Sequence, residues 1–416
     1  MEFVILNEEE YRKFYNSNSQ SSFMQSVELG HLKKDYGDII HFVGVKKEKK
    51  IVAASLLLES KTIFNKSMFY APRGLIVDYH DFSLLSFFVT ELKKYMRKYH
   101  GFTLTIDPNV IYRKRSSEGE ILGDGDDLSV NNLKKLGFKH FGFNTYLETR
   151  QARWAYLLEL DKDYETKKSK FSKSTRKNIE STYKKGLQVR VGQIDDLNVM
   201  TEIFEITAKR KDFFYRSLDY YKKMYKNMKD LMTIYIAYLN PDVYLEHTKQ
   251  LLKDEKVKNK EISLKFDKDN VGNKLRNQKK TSDALIEKYE KELKRAEKFK
   301  ENNPKGKDIG CLLSIRSGNE YLTLSSGVLV DYKDFTPKYQ MYEKHIEDAY
   351  KEGFKYCNFY GITGDFDPKN KYYGVYEFKK GFGGNVIEYI GEFELEVSSF
   401  NKLYKLLRKI KGLFKR

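Results

Sequence analysis

The stretch Tyr373–Asn385, YGVYEFKKGFGGN, sets two lysines in a nearly unbroken aromatic run that ends at a glycine pair. Lysine is rarely buried without a partner, so Lys379 and Lys380 among Tyr376, Phe378 and Phe382 raise a chemical question. The run reads as a strand and a turn. In an alternating strand the two ammonium groups point to opposite faces, and only one can enter a site. The other reading lets Lys379 snorkel beside the strand with its ammonium in water. The neighbouring Lys380-Gly381-Phe382-Gly383-Gly384 is glycine-rich. It does not match the Q/R-x-x-G-x-G/A loop with which acetyl-CoA enzymes cradle pyrophosphate, and a lone glycine-rich turn is weak evidence.

Other chemistry is narrowed by what is missing. The seven histidines are scattered, with no His-x-His, no His-Glu-x-x-His and no His/Cys cluster, so no metal site is expected. Cys311 and Cys357 lie far apart without a CxxC neighbour and read as reduced, buried thiols. The formal net charge is +18, which speaks for a polyanionic partner or, equally, for a lysine-rich composition. The start, MEFVILNEEEYRKF, lacks the pattern of a signal peptide, and no run approaches the ~18 apolar residues of a membrane span. A soluble cytoplasmic protein is expected.

The elements that must position these residues alternate between strand and helix. Phe42–Val45 and Ile51–Leu58 are strand-like and flank the charged turn KKEKK. Leu84, Leu85, Phe88, Leu92 and Tyr95 recur at helical spacing. Gly101–Pro108, GFTLTIDP, is a strand that ends at Asp107. Leu133–Phe143 and Asp348–Gly361 both read as helix, Gly-Phe-Lys turn, aromatic strand, which hints that one α/β unit occurs twice. The segment 241–308 is charge-dense, with Ile286, Tyr289, Leu293 and Ala296 at coiled-coil spacing. Leu245 and Leu252 are the best seam positions of its first half. It reads as an antiparallel helical hairpin turning near Asp267–Asn273. The tail FNKLYKLLRKIKGLFKR is a basic amphipathic helix with Leu403, Leu406, Leu407 and Ile410 on one face. It either packs on the body or contacts a membrane surface.

Several motifs then occur in a fixed order. They are Phe23-Met24-Gln25-Ser26 followed by Lys33, Tyr70-Ala71-Pro72-Arg73-Gly74 with Asp78-Tyr79, and Ile106-Asp107-Pro108. Asn358-Phe359-Tyr360-Gly361, the Tyr373–Phe382 run and Ile390-Gly391-Glu392-Phe393 follow. With the inserted arm, this series resembles the Fem family of nonribosomal peptidyl transferases (FemA-, FemB-, FemX- and MurM/MurN-like proteins) nearly end to end. The resemblance implies an α/β (α+β) fold of two GNAT-like (acyl-CoA N-acyltransferase-like) domains with mixed sheets, and a coiled-coil arm inserted in the second. The domains would be 1–150; 151–240 with 309–393; the arm 241–308; and a helix in 394–416 packing back on the first.

The resemblance further implies an aminoacyltransferase that builds the peptidoglycan interpeptide bridge. It would move Gly, Ala or Ser from aminoacyl-tRNA to the stem or bridge peptide of lipid II or a nucleotide-linked muropeptide precursor. No cofactor is expected, because aminoacyl-tRNA is a co-substrate and ester-to-amide exchange is downhill. Lys379 would be the fixed cation that stabilises the tetrahedral oxyanion, with Phe378 beside it. Lys33, and Arg216 with Tyr215 in FFYRSLDYY, would grip the diphosphate. Lys34 is the register alternative to Lys33, and a solvated lysine or a surface ion pair are the plain readings of these two cations. Asp107 would orient or deprotonate the amine, and equally reads as a structural strand-end carboxylate. Arg73 would brace the cleft or form an internal ion pair. Lys167–Lys185 reads as one strongly basic helix, whose Lys173, Arg176 and Lys177 would meet tRNA phosphates, or form a solvated face. Leu29 and Tyr36 stand where some family members carry tryptophan. Three further expectations stay open: contact with the inner membrane face, pairing as a homo- or heterodimer, and use of the same machinery for self-protection against a lytic endopeptidase. A non-catalytic, basic RNA-binding protein is the reading from another class.

Overall fold

The computed structural model describes residues 1–19, 21–146, 150–211, 214–266 and 272–413, with side chains to 408. Two mixed sheets carry the chain. The first has seven strands, in the order Glu2–Ile5, Ile39–Lys47, Lys50–Lys61, Ser67–Ala71, Gly101–Ile106, Phe393–Glu396 and Phe138–His140. The second has nine: Leu187–Val191, Met232–Leu239, Lys307–Ser317, Glu320–Val328, Tyr356–Gly361, Trp154–Glu159, Asn385–Tyr389, Ile111–Arg115 and Ile121–Leu122. Among the described residues each sheet holds one parallel pair, Ser67–Ala71 with Gly101–Ile106 and Glu320–Val328 with Tyr356–Gly361. The other pairings are antiparallel.

Both sheets are covered on both faces, so their central strands are apolar without a break. In Lys50–Lys61, Ala53 and Leu57 face the helix Phe82–Lys98 through Leu85, Phe88 and Leu92. Ala54, Leu56 and Leu58 face the other way, onto Tyr11 and Val27. Met232–Leu239 repeats the device. Tyr235, Ala237 and Leu239 pack on Met341, Tyr342 and Ile346 of the helix Pro337–Lys351. Ile234 and Ile236 pack on Met200, Ile203 and Met224. The echoed helix–Gly–strand joints are both present, with Gly137 at φ 88° and Gly353 at φ 75° ending their helices.

Sheet membership departs from the expected division at residue 150. Ile111–Arg115 pairs with Asn385–Tyr389 in the second sheet, and Phe393–Glu396 pairs with Gly101–Ile106 in the first. The chain therefore crosses between sheets four times: after Asp107, between Leu122 and Phe138, between His140 and Trp154, and again at Ile390–Glu392. The inserted segment forms two long helices, Pro241–Phe266 and Asn273–Asn302. They run antiparallel, tied by Tyr244–Glu292 (2.5 Å), Lys256–Glu290 (2.8 Å) and the buried Ser282–Glu255 bond (2.6 Å). Ala296 is buried, and Ile286, Tyr289 and Leu293 are half-buried on the same face. In the partner helix Leu252 is buried and Leu245 half-buried. Residues 267–271 of the expected turn, and the Ile410 side chain, lie outside the described residues. The tail helix Phe400–Leu413 rests on the first sheet, its Phe400 and Tyr404 rings 5.2 and 4.9 Å from Phe102.

A second expectation is overturned here. Tyr373–Lys380 is a helix, not a strand. Tyr376 and Lys379, three apart, are its buried positions, while Gly374, Val375 and Glu377 are exposed. The glycines that follow serve close approach. A Cβ at Gly384 would lie 2.4 Å from the Leu157 carbonyl oxygen, and Gly383 has φ 76°. Gly384→Ala is therefore expected to cost ~1–3 kcal/mol of stability through overpacking. Gly374→Ala meets nothing within 4 Å and is expected to be neutral or to stabilise by up to ~0.5 kcal/mol through helix propensity. Urea denaturation midpoints of the two variants check both.

Candidate active site

The C-terminal ends of the two parallel pairs converge. At the first, Asp107 follows the strand Gly101–Ile106 and is 3% exposed. Its Oδ2 accepts from the Tyr70 hydroxyl (2.7 Å) and its Oδ1 from the Arg73 backbone N–H (2.6 Å). Burial pushes its carboxyl above the ordinary range, against the pull of Arg73. Arg73 is itself buried and in left-handed conformation, at φ 52°. Its guanidinium lies 4.1 Å from the Tyr389 ring centre and donates to the Ala152 carbonyl (2.7 Å). Asn358 donates to Glu320 (2.8 Å), whose carboxyl burial also raises, and Tyr360 donates to Gln151. Every one of these buried polar groups has a partner, so the junction of the two sheets is stiff rather than wet.

At the second strand end sits Lys379, 6% exposed. Its Nζ donates to the Gly361 carbonyl (2.7 Å) and, at 3.4 Å, to that of Tyr360. Among the described residues it has no carboxylate partner. Burial lowers its pKa to about 7, helped by the positive charge of Lys338. Phe378, the preceding residue, packs edge-on against Tyr339 and Tyr342 at 5.0 and 4.9 Å. Lys380 points away and pairs with Glu118 at 2.6 Å. The helix thus separates the two lysines by its turn, as a strand would have by its pleat.

Lys338 is the group that sequence reasoning missed. It stands in the first turn of Pro337–Lys351, its ammonium 6.0 Å from the Phe378 ring centre. Burial and the charges of Arg210 and Lys211 lower its pKa to about 8. A cation in a helix's first turn opposes the macrodipole, and Thr336-Pro337-Lys338 carried that signal. Above pH 7 Lys379 loses its proton, and Lys338 makes the loss easier. If the ammonium is the working form, the transfer rate falls as pH rises through about 7. Lys338→Met is expected to move this descending limb to higher pH, as read in a rate profile from pH 6 to 9.

The two expected phosphate ligands come together from opposite domains. Lys33 ends the helix Val27–Lys34, which packs on the helix Leu218–Met228 just after Arg216. Burial lowers the Lys33 pKa, and the Arg216 charge lowers it further while Asp38 pulls the other way. Among the described residues neither cation has a carboxylate within 4 Å. Arg216 is exposed, held 4.8 and 4.7 Å over the rings of Phe214 and Tyr220. Lys34 is exposed, so the half-buried Lys33 occupies the place beside Arg216. Tyr36 donates to Asp219 (3.1 Å) and its ring lies 5.5 Å from Tyr220. Tyr215 instead turns to Glu205 (3.0 Å). The helix Val27–Lys34 links this pair to the buried junction, because Gln25, just before it, donates to the Pro72 carbonyl (2.8 Å).

The single basic helix expected over Lys167–Lys185 is broken at Ser172, which caps the second of two helices, Tyr164–Ser169 and Lys173–Lys184. The second begins against the turn that follows Lys379: Ser172 N–H donates to the Gly381 carbonyl (2.8 Å), and a Cβ at Gly381 would strike Thr175. Lys173, Arg176 and Lys177 are exposed. Cys311 and Cys357 are buried thiols. Among the described residues no group of three or more His, Cys, Asp or Glu is placed to hold a metal ion, and no helix is long and apolar enough to cross a membrane.

The FemAB family model matches residues 6–411. The chain belongs to the FemAB family. It is 31% identical to the aminoacyltransferase FemA of Staphylococcus epidermidis over 422 aligned positions, covering 99% of this chain and 100% of the relative. To FemA of Staphylococcus aureus it is 28% identical, covering 99% of each. The solved structure of FemX superimposes with a TM-score of 0.77 at 23% identity, over 98% of this chain and 99% of FemX. The chain is an aminoacyltransferase with the FemX fold. In this FemAB protein, the helix Val27–Lys34 joins the Lys33–Arg216 pair to the sheet junction, and Lys379 lies at the second strand end of that junction.

Proposed function

We propose that this FemAB protein transfers an aminoacyl group from aminoacyl-tRNA to an amine on the stem or bridge peptide of a peptidoglycan precursor, building the interpeptide bridge. The observation that carries the reading is Lys379, an ammonium nine-tenths buried with only carbonyl oxygens as partners. The amine attacks the ester carbon and the carbonyl oxygen becomes negative. The tetrahedral centre collapses with loss of the ribose hydroxyl, which takes up the proton released by the nitrogen. A preorganised cation in a dry site is most effective where that negative charge develops. Asp107, with both oxygens engaged, orients Arg73 and Tyr70 at the acceptor side. Lys33 and Arg216 hold the precursor diphosphate. Lys173, Arg176 and Lys177 lead the acceptor end of the RNA towards Lys379. The test supplies a lipid-linked precursor and tRNA charged in turn with labelled Gly, Ala or Ser. Label should appear in the lipid. Tight RNA binding with no transfer from any of the three would overturn the reading.

A further inference from the structure

The seven-stranded sheet has two unlike ends. One carries Arg73 and Asp107. The register places at the other the start of Ile39–Lys47, the end of Lys50–Lys61, and the starts of Ser67–Ala71 and Gly101–Ile106. The end of Phe393–Glu396 joins them, because Glu396 pairs with Thr103. This second end exposes apolar side chains that the fold does not need. Phe64 is 73% exposed at the tip of the turn Ile63–Asn65, in left-handed conformation at φ 55°. A bulky residue there is strained, and most of its ring faces solvent. Ile39 and Ile63 beside it are exposed too. The Phe64 ring lies 6.3 Å from Phe400, which anchors the tail helix at this end. Leu403 and Leu406 follow on that helix at 47% and 55% exposure.

The charge around this patch is net positive. Lys61, Lys66, Arg97, Lys98, Lys402 and Arg408 border it. Of the acids nearby, Glu59 is paired with Lys61 and Glu394 with Lys405, while Asp38 accepts from Ser60 and Glu396 is exposed. An apolar patch rimmed by cations matches the interface of an anionic bilayer, where side chains enter between headgroups and lysines meet lipid phosphates.

The path through the molecule points the same way. From Gln25, against Pro72, the helix Val27–Lys34 runs ~12 Å to Lys33, and Ile39 follows five residues after Asp35's neighbour Lys34. A ligand with its amine at Lys379 and its diphosphate at Lys33 and Arg216 therefore continues towards Ile39 and Phe64. We propose that this end of the seven-stranded sheet, Ile39, Ile63, Phe64, Leu403 and Leu406 with their lysine and arginine rim, docks on an anionic membrane and receives the lipid of the precursor there. The second half of this statement rests on the proposed function; the docking itself does not.

The test uses the full chain and vesicles of phosphatidylglycerol, or of phosphatidylcholine, without precursor. The protein should sediment with the anionic vesicles, less so at high salt. The exposed double variants Ile63→Ser/Phe64→Ser and Leu403→Ser/Leu406→Ser should each lose about tenfold in vesicle affinity. Transfer to a water-soluble, nucleotide-linked acceptor should be unchanged in both variants, while transfer to a vesicle-embedded acceptor falls. Wild-type protein that ignores anionic vesicles, or variants that bind them equally well, would overturn the proposal. So would a wild-type dimer in sedimentation equilibrium that both variants convert to monomer, because the face would then be covered by a second copy. If vesicles bind as expected but no acceptor is ever aminoacylated, the docking surface stands and the functional reading fails.

Discussion

Replacing Lys379 by Met is expected to lower the transfer rate by about 10²–10³-fold, the loss seen when one preorganised oxyanion donor is removed. The argument is one of differential binding. In the ground state the Lys379 ammonium is satisfied by the Gly361 and Tyr360 carbonyls, and an ester carbonyl offers it little more. In the tetrahedral state a full negative charge forms in the same dry enclosure, and only there does the cation interact strongly. The loss should thus appear in kcat, with precursor affinity retained. Stability should not suffer. Methionine matches the lysine stem, and burying an ammonium costs free energy that the variant does not pay, so thermal denaturation should show an equal or higher Tm. Lys380→Met is the control. Its ammonium is tied to Glu118 on the surface, a pair worth little in energy, and activity should change by less than about twofold. A Lys379→Met enzyme with wild-type kcat would show that the buried cation serves the fold alone.

How much of this was legible in the sequence depends on whether the signal was local. The two faces of Lys50–Lys61 were readable because alternation is a property of neighbours, and both glycine-ended helices were readable because C-terminal glycine is a local conformational demand. Tyr373–Lys380 was misread because its aromatic residues favour strands in composition, although Tyr373, Tyr376 and Lys379 already stood at helical spacing. There the packing of Phe378 and Phe382 on the helix Pro337–Lys351 overrides composition. The exchange of Ile111–Arg115 and Phe393–Glu396 between sheets could not be seen at all, since strand pairing is decided far along the chain. The same holds for Lys338, whose importance comes only from what lies across from it. Lys33 and Arg216 were singled out by the family resemblance, but their closeness belongs to the packing of two helices from different domains.

That closeness makes a second large effect predictable. Lys33→Met and Arg216→Met should each raise the KM for the precursor by roughly 10- to 150-fold, the range for losing one hydrogen bond to a charged group, ~1.5–3 kcal/mol. The turnover number at saturating precursor should hold, because the diphosphate is far from the reacting carbon and is bound equally in ground and transition states. The two sites are not independent. In the free protein their charges repel, which is why Arg216 helps to hold the Lys33 pKa down. Removing Arg216 relieves Lys33 in the unliganded enzyme, so the free energies measured singly need not add in the double variant. The coupling term of a double-mutant cycle measures that repulsion together with the shared ligand. Salt supplies an independent check. Precursor affinity should fall with ionic strength in the wild type and fall less steeply in each single variant, because two exposed or half-buried cations facing one dianion are screened. If both variants bind precursor as tightly as the wild type, at low salt as well as high, the diphosphate lies elsewhere and the pair is only a contact between domains.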